Sequence, residues 1–238
     1  MAVMYTNIFK MDTEFQKLLQ ELESSDRAEN TIVIFYSDNG GPLPRAKREI
    51  LDSGTHVPFM IRFPDGRYAC TRNLDLNMFV DIPATVLSLA GLEPPKYMHG
   101  KPMYGKFANN EKRNYTFGAT DRFDEQVEKR ASIRTKEYLY IRNYMPDLAN
   151  YRPNAFRIQM PMMREMMRLY ELGELNETQS IWFTKPAVKE ELYDCRKDKH
   201  QIYNLASNPN YINVLNTMRE ALNDEWIYKY NSFWIESE

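Results

Sequence analysis

The sequence predicts an α/β fold, and two observations indicate that class. The N-terminal part runs in the order helix, strand, loop, strand, helix, which is the order that layered α/β folds produce. After a link rich in Pro and Gly at 93–105, short strands alternate with polar turns, and an amphipathic helix follows them. We therefore predict two domains: 1–105, part of a parallel-sheet α/β domain, and 106–238, a small antiparallel sheet packed with the C-terminal helix.

The composition excludes several classes of protein. The 238 residues include 31 Lys and Arg against 33 Asp and Glu, a net charge of −2, so nothing favours a nucleic-acid partner. No apolar run is long enough to cross a bilayer, and the first residues lack the features of a secretory leader. We expect no membrane partner and no export of the chain as written, and leave its compartment open. Cys70 and Cys195 lie in no metal-ligand spacing and are interpreted as free thiols.

The first predicted element is an amphipathic helix. Its stripe begins almost at Met1 with no capping residue ahead of it, as in a chain that starts inside a domain. The apolar residues recur at helical spacing between Lys, Glu and Gln: Ile8, Met11, Phe15, Leu18, Leu19 and Leu22. The run TIVIFYS at 31–37 is typical of a parallel strand buried on both faces, and VPFMIRF at 57–63 is a second strand.

The remaining elements follow from similar patterns. The segment DIPATVLSLAGL predicts a helix with Pro83 in its first turn and Gly91 at its end. Short antiparallel strands are predicted at NYTFGAT, RASIRT and YLYIRNY. A methionine-rich helix ends near Gly173, and its methionines are expected to pack in the core. The last helix carries one apolar stripe: Tyr211, Leu215, Met218, Leu222 and Trp226.

The segment SDNGG at 37–41 follows the first strand directly. Open α/β folds bind ligands at the carboxyl ends of strands, so the oxygens of Asp38 and Asn39 arrive where a ligand is expected. Hard oxygens of this kind suit Ca²⁺ or Mg²⁺. The basic residues that follow within ten positions offer donors to a tetrahedral anion: Arg45, Lys47 and Arg48. The alternative is a simple turn with solvated basic side chains, and the local sequence leaves both interpretations open.

A series of longer segments carries more information than this motif alone. In chain order they are NTIVIFYSDNGG, DSGTHVPFMIRFP, DIPATVLSLAGLEPP, KEYLYIRNY and ELYDCRKDKHQIYNLASNPNY. Together they resemble the C-terminal half of a type I, formylglycine-dependent sulfatase of the alkaline-phosphatase superfamily. The resemblance covers essentially the whole chain. The segments DNGGPLPRAKREI and YLYIRNYMP are most similar to the heparan N-sulfatase branch.

The resemblance implies roles for the residues of the motif. Asp38 and Asn39 match the family's metal ligands, which usually hold Ca²⁺. Lys47 matches the basic residue that contacts the substrate sulfate, with Arg45 and Arg48 as the alternatives. The expected activity is hydrolysis of a sulfate ester, or of an N-sulfate, on a sugar or another small molecule. The resemblance also implies an alkaline-phosphatase-like fold for the first domain.

The sequence departs from the family at the nucleophile. Sulfatases of this type use a formylglycine made from Cys or Ser in C-x-P-x-R or S-x-P-x-R. Here Cys70 opens CTRNL, Cys195 opens CRKDK and Ser207 opens SNPNY, so none of them fits. Formylglycine and further metal ligands are therefore expected in an N-terminal sulfatase half, which would be a partner of this chain. Without that half the strand at 31–37 has an open apolar edge, and we expect low solubility or self-association.

Further polar residues have a structural and a functional interpretation. The family draws histidines into its site from its N-terminal half, but for His56, His99 and His200 we expect structural roles. The alternatives for the charged segment GATDRFDEQ are a solvated loop and a substrate-binding loop after a strand, with three polar side chains near the sugar: Asp121, Arg122 and Asp124.

Three arginines later in the chain have the same two interpretations. They meet the substrate, or they pair with nearby carboxylates. They are Arg130, Arg134 and Arg142.

The sequence leaves three hypotheses of function. The first is a sulfatase fragment that supplies part of the metal and sulfate site and no nucleophile. The second is an inert remnant or interaction module, which the absent nucleophile motif favours. The third is a phosphatase or phosphodiesterase of the same superfamily, with Thr or Ser as nucleophile. The segments GTHVPFMIRFP and ELYDCRKDKHQIYNLA favour a sulfatase over the third reading.

Overall fold

The computed structural model describes residues 1–108 and 111–230, without the side chain of Phe123. The N-terminal elements are α1 (Ala2–Glu23), β1 (Val33–Tyr36), α2 (Asp52–Thr55), β2 (Phe59–Arg62) and α3 (Asp81–Leu89). The later elements are β3 (Thr116–Phe123), β4 (Gln126–Arg134), β5 (Tyr138–Asn143), α4 (Ala155–Ile158), α5 (Pro161–Glu171), α6 (Glu177–Ser180), β6 (Glu190–Asp194) and α7 (Ile212–Leu222), which continues as a π-helical turn over Asn223–Ile227.

The first two strands pair with each other. β1 and β2 form an antiparallel two-stranded sheet in which Val33 lies opposite Arg62 and Tyr36 opposite Phe59. The prediction of a parallel strand buried on both faces is therefore wrong in that detail, because β1 is only half-buried and Tyr36 is exposed. A run of β-branched and aromatic residues indicates a strand that packs against apolar groups, but it does not specify the orientation of the neighbouring strand.

Helix α1 lies over this small sheet. The rings of Phe15 and Phe35 are 4.8 Å apart, and the methyl group of Met4 lies close to Gly41. The exposed ion pair between Arg62 and Glu23 joins the end of the helix to β2. The helix has no buried residue, so its apolar stripe is only partly covered by the described parts of the chain.

Helix α3 is fixed by the buried carboxylate of Asp81. That carboxylate accepts hydrogen bonds from the amides of Met78, at 2.8 Å, and Lys101, at 2.7 Å. It also pairs with the guanidinium of Arg113. Because Asp81 and Arg113 come from opposite sides of the predicted boundary at 105, this ion pair joins the two predicted domains.

The second sheet has the order β3-β4-β5-β6 and is antiparallel throughout, as predicted for its first three strands. The fourth strand was not predicted. The sequence that forms it is EELYD, of which ELYD was recognised only as part of a family segment. Helix α7 packs on one face of this sheet, and the core between them is apolar: Ala131, Ile133, Tyr140 and Leu192 from the strands, and Leu215, Met218, Leu222 and Ile227 from the C-terminal helix.

Between β5 and β6 the chain forms three short helices around an aromatic cluster. Tyr151, Met163, Trp182 and Phe183 are buried together, and further methionines of α5 surround them. The expectation that these methionines fill core space is confirmed, since Met163 is fully buried. Gly173 has the left-handed φ of 69° that ends the regular part of the helix, as predicted.

The α/β fold class is confirmed, with the antiparallel sheet and its helix in the predicted order. The boundary between 1–105 and 106–238 stays a prediction, and residues 231–238 of the second domain lie outside the described residues. Within the described ranges, none of the helices combines the length and hydropathy that crossing a bilayer requires.

One face of the N-terminal part exposes a continuous apolar surface. A groove of about 430 Å³ runs between α1 and the small sheet. The residues of this α1 groove are Tyr5, Ile8, Phe9, Met11, Asp12, Phe15, Phe35 and Met60. Phe9 at its edge is 71% exposed. Large exposed apolar patches mark surfaces that bind another protein or aggregate.

We predict that this chain self-associates through the α1 groove. The substitution Phe9→Lys keeps a good helix former in α1 and places a charge in the groove, so it should shift the chain toward monomer. Sedimentation velocity at micromolar concentration measures the change. Tyr203→Lys is the matched control, because Tyr203 is also 71% exposed but is not a residue of the groove. A sharp monomer peak for the unsubstituted chain would contradict the prediction.

Candidate functional site

The predicted metal ligands lie in the turn directly after β1. The amide of Ser37 donates to the carbonyl of Pro58 at 3.2 Å, which continues the pairing of the strands by one residue. Its hydroxyl donates to the carbonyl of Asn39 at 2.8 Å and closes the turn. Asp38 is exposed and Asn39 half-buried. Neither side chain has a hydrogen bond or ion pair with a residue that the structure describes, so both oxygens are free to bind a ligand.

Gly40 holds this turn against helix α2. Its amide donates to the carbonyl of Gly54 at 2.9 Å. A Cβ atom at position 40 would lie 2.0 Å from the carbonyl oxygen of Ser53, so only glycine allows this approach. The first glycine of the predicted motif therefore positions Asp38 and Asn39 relative to the loop that carries the basic residues.

The basic loop, residues 41–51, is tightly folded. The amides of Leu43 and Lys47 both donate to the carbonyl of Gly41, at 2.7 and 3.1 Å. Arg45 and Arg48 have left-handed φ angles of 56° and 72°. Non-glycine residues are uncommon in this region, and such strain persists only where the surroundings hold it.

Arg45 and Arg48 are occupied by protein groups. The guanidinium of Arg45 donates to the carbonyls of His200, at 2.8 Å, and Gln201. That of Arg48 pairs with Asp124 at 2.8 Å and lies 4.0 Å from the centre of the Phe156 ring. Both alternatives for the sulfate contact are thus tied to the C-terminal part of the chain.

Glu49 makes the most buried contact between the basic loop and the C-terminal part of the chain. Its side chain is 3% exposed and lies between two arginines, with Arg130 at 3.1 Å and Arg157 at 2.7 Å. Burial acts to lower the pKa of Arg130, but the charges of Glu49 and then Glu128 outweigh it and hold that pKa above its usual value. Arg157 also donates to the carbonyl of Lys47 at 3.2 Å. This arginine therefore fixes the backbone at the predicted sulfate contact.

The basic loop ends in a second ion pair. Asp52 accepts from the Nε and Nη2 of Arg134 at 3.0 and 3.1 Å. For Arg130 and Arg134, pairing with nearby carboxylates is therefore what the structure shows. The guanidinium of Arg142 lies 5.2 Å from the centre of the Tyr144 ring.

The apolar residues between Glu49 and Asp52 lie in the core. Ile50 and Leu51 pack against Leu139, Ile141 and Tyr193 of the second sheet. The half-buried thiol of Cys195 packs against the same cluster, and burial raises its pKa to about 11. Cys195 is therefore a neutral thiol at physiological pH.

Lys47 differs from its neighbours. Its amine lies 5.3 Å from the centre of the Phe156 ring and makes no ion pair or hydrogen bond within the described part of the chain. Phe156 and Arg157 stand in α4 and were missed, because nothing local in YRPNAFRIQ marks a site. Asn154, the N-cap of this helix, was the one available signal.

The predicted substrate residues lie at the tip of the β3–β4 hairpin. Asp121 and Arg122 are exposed in the last residues of β3, where the register with β4 shifts, and Asp124 lies in the turn. All three were predicted to follow the strand, which holds for Asp124 alone, because β3 extends to Phe123. The ion pair of Asp124 with Arg48 brings this tip beside Lys47.

The three histidines do not join this group. His56, His99 and His200 are exposed. The ring of His99 lies 4.7 Å from that of Tyr230, and the carbonyl of His200 is used by Arg45. Across 1–108 and 111–230, no three His, Cys, Asp or Glu side chains lie together as a metal site.

The sequence matches the sulfatases. Residues 1–92 match the sulfatase family model. The chain is 44% identical over 224 residues to an ulvan-active sulfatase of Formosa agariphila, with 94% of this chain and 37% of that protein covered. It is 21% identical to the human N-sulphoglucosamine sulphohydrolase, with 99% of this chain and 49% of that enzyme covered.

The fold matches a solved structure along nearly the whole chain. A protein in complex with its substrate D-glucosamine-2-N,6-O-disulfate superposes with a TM-score of 0.70 over 97% of this chain and 41% of that one, at 20% identity. The superposition thus places the chain in the α/β class to which that protein's fold belongs. Within that class the chain is related to the sulfatases along nearly its whole length, which confirms the predicted resemblance. It spans between 37% and 49% of the length of these two curated relatives.

We predict that Glu49→Ala destabilises the chain by about 3–5 kcal/mol, because it leaves two buried guanidinium groups without their shared partner. Urea unfolding in the Phe9→Lys background measures the free energy of unfolding. Glu165→Ala is the control, since Glu165 pairs with Arg168 on the surface and should leave the midpoint unchanged. Equal midpoints for Glu49→Ala and the parent chain would refute this role of Glu49.

Proposed function

We propose that this chain supplies part of the active site of a sulfatase that acts on a sulfated glycan. In the complete enzyme the reaction is hydrolysis of a sulfate ester or an N-sulfate. The proposal is carried by one observation. In the loop after Asp38 and Asn39, both arginines are engaged by protein groups, and Lys47 is the basic residue whose side chain has neither a hydrogen bond nor an ion pair with the described part of the chain.

Lys47 is the proposed sulfate contact. An anionic sulfate group needs a cation whose donors are not already used, and Lys47 provides one in the loop that follows the proposed metal ligands. Its backbone is held from both sides, by Gly41 through its amide and by Arg157 through its carbonyl. A fixed cation of this kind stabilises charge without reorganising during the reaction.

Asp38 and Asn39 are the proposed Ca²⁺ ligands. Their oxygens are adjacent, accessible and unbonded in the described part of the chain, which fits the donor chemistry of this ion. Ca²⁺ takes six to eight oxygen ligands, so two residues are an incomplete set. When bound, the ion would offset the negative charge of the sulfate. The other ligands belong, in this proposal, to a segment outside this sequence.

The same segment would carry the nucleophile. No C-x-P-x-R or S-x-P-x-R occurs in the 238 residues. In the sulfatases that the sequence resembles, formylglycine supplies the oxygen nucleophile. The α1 groove and the open edges of the small sheet are where we place the contact with that N-terminal sulfatase half. The units 1–105 and 106–238 act together in this arrangement, because the basic loop of the first is anchored in the second.

The tip of the β3–β4 hairpin is proposed to line one side of the sugar-binding site. Asp121 and Arg122 are exposed there, and Asp124 joins the tip to Arg48. Exposed carboxylate and guanidinium groups suit hydroxyls and a second anionic group. An ulvan-active sulfatase and a glucosamine-disulfate complex among the related proteins support a sulfated sugar as the substrate class.

A non-catalytic interaction module is the second candidate. It is favoured by the absent nucleophile motif. A phosphatase is disfavoured, because the two curated relatives are named as a sulfatase and a sulphohydrolase.

The decisive experiment co-expresses this chain with an N-terminal sulfatase half that carries formylglycine, and measures aryl-sulfate hydrolysis with Ca²⁺. Activity is expected only in the mixture. Lys47→Ala should lower turnover by roughly 10²–10³-fold, the range for losing a preorganised charge-stabilising donor. Lys106→Ala is the control, because Lys106 is exposed and likewise lies over a neighbouring ring.

Three other outcomes would count against the proposal. No hydrolysis in a mixture whose assembly has been confirmed by co-purification would favour the interaction module. Hydrolysis by this chain alone would show that the nucleophile lies within it. Unchanged turnover in Lys47→Ala would remove Lys47 from the sulfate site.

The metal proposal predicts a shift in calcium dependence. Asp38→Ala in the same mixture should raise the Ca²⁺ concentration for half-maximal activity by more than about tenfold, because ligand charge sets the affinity of such sites. A calcium titration measures it. Asp147→Ala, at an exposed aspartate outside the basic loop, should leave the titration curve in place. Coincident curves for Asp38→Ala and the parent would exclude Asp38 as a ligand.

A further inference from the structure

Helix α4 contacts Lys47 in two ways. Arg157 holds its carbonyl, and the ring of Phe156 lies beneath its amine, with 5.3 Å between Nζ and the ring centre. We propose that Phe156 is the positioning residue for the Lys47 amine, holding the ammonium group at the sulfate site while leaving its charge uncompensated. The inference rests on the proposed function, in which Lys47 contacts the sulfate.

A lysine that contacts sulfate must be both ordered and fully charged. The ammonium group stands on a flexible four-carbon stem, so it needs a partner to hold one position. A carboxylate partner would hold it but would cancel the charge that attracts sulfate. An aromatic face attracts a cation within about 6 Å through its quadrupole and carries no net charge. The ring of Phe156 lies within this distance of the amine, and unlike a carboxylate it leaves the charge of Lys47 uncompensated.

The ring itself is firmly placed. Asn154 is buried, and its side chain accepts from the amide of Arg157 at 2.8 Å, which caps α4. The amide of Ala155 donates to Glu125 at 2.7 Å, and Arg157 reaches Glu49. A four-residue helix has little stability of its own, so these contacts are what hold Phe156 in position.

Arg48 shares the ring but does not compete with this role. Its guanidinium lies 4.0 Å from the centre of the Phe156 ring, and its charge is met by Asp124. Its Nε and Nη1 atoms are buried without a hydrogen-bond partner. Arg48 is therefore a packed and compensated cation, and Lys47 is the cation at this ring that is left for an anion.

Three variants test the proposal in the co-expressed mixture. Phe156→Leu keeps apolar volume and removes the aromatic face, so the inhibition constant of inorganic sulfate and the KM of the aryl sulfate should rise about two- to thirtyfold. Phe156→Tyr keeps the face and should stay close to the parent. Phe107→Leu is the matched control, because Lys106 also lies 5.3 Å from the ring centre of Phe107. It should change neither constant.

A double substitution separates positioning from packing. If Phe156 acts through Lys47, then Phe156→Leu has no further effect once Lys47 is alanine. Additive losses, or an unchanged sulfate inhibition constant in Phe156→Leu, would overturn the inference while the proposed function stands. A Lys47→Ala variant with parental kinetics would instead overturn the role of Lys47 and the inference with it.

If the mixture has no turnover, the proposed function fails and the contact is decided on this chain alone. Lysines are labelled with ¹³C-methyl groups in the Phe9→Lys background, and the Lys47 signal is assigned with Lys47→Arg. A ring-current shift that disappears in Phe156→Leu and remains in Phe156→Tyr supports the positioning role. A Lys47 signal at the same chemical shift in the Phe9→Lys background, in Phe156→Leu and in Phe156→Tyr overturns it.

Discussion

The arrangement of the whole site depends on one buried carboxylate. Glu49 lies between the guanidinium groups of Arg130 and Arg157, and all three side chains are at least nine-tenths buried. A buried charge is tolerated only when it is paired, so the basic loop cannot leave the second sheet without exposing or orphaning these groups. This constraint sets where Lys47 lies. The position of the proposed sulfate contact is thus decided by residues some 80 to 110 positions later in the sequence.

The sequence predicted the elements well because their patterns are local. Helical and strand periodicities are read within a window of a few residues, and α1, α3, α5, α7 and the strands β3 to β5 follow them closely. Asp38, Asn39 and Lys47 could be proposed as site residues for a similar reason, since they lie in one short segment. Glu49 and Phe156 were missed because their roles exist only after folding. Neither the helix start NAFRI nor a glutamate in a basic cluster signals a partner a hundred residues away.

The orientation of β1 was mispredicted for a physical reason. A continuous apolar strand predicts cover on both faces, and α/β proteins usually provide it with parallel neighbours and helices. In this chain β2 pairs antiparallel with β1, α1 covers part of one face, and the α1 groove is left open. The apolar run therefore indicates that this strand is stable only when it is buried, and the described part of the chain buries it only partly.

The strain beside Lys47 indicates what the C-terminal part contributes. Arg45 and Arg48 both have left-handed backbone angles, each of which costs about 1–3 kcal/mol when nothing compensates it. Both residues are anchored by groups of the C-terminal part, which are the carbonyls at 200–201 and the carboxylate of Asp124. A loop freed from these anchors would relax, and the backbone between them would turn with it. Because that backbone carries Lys47, the second sheet and α4 belong to the machinery of the proposed site and are not an appendage to the first domain.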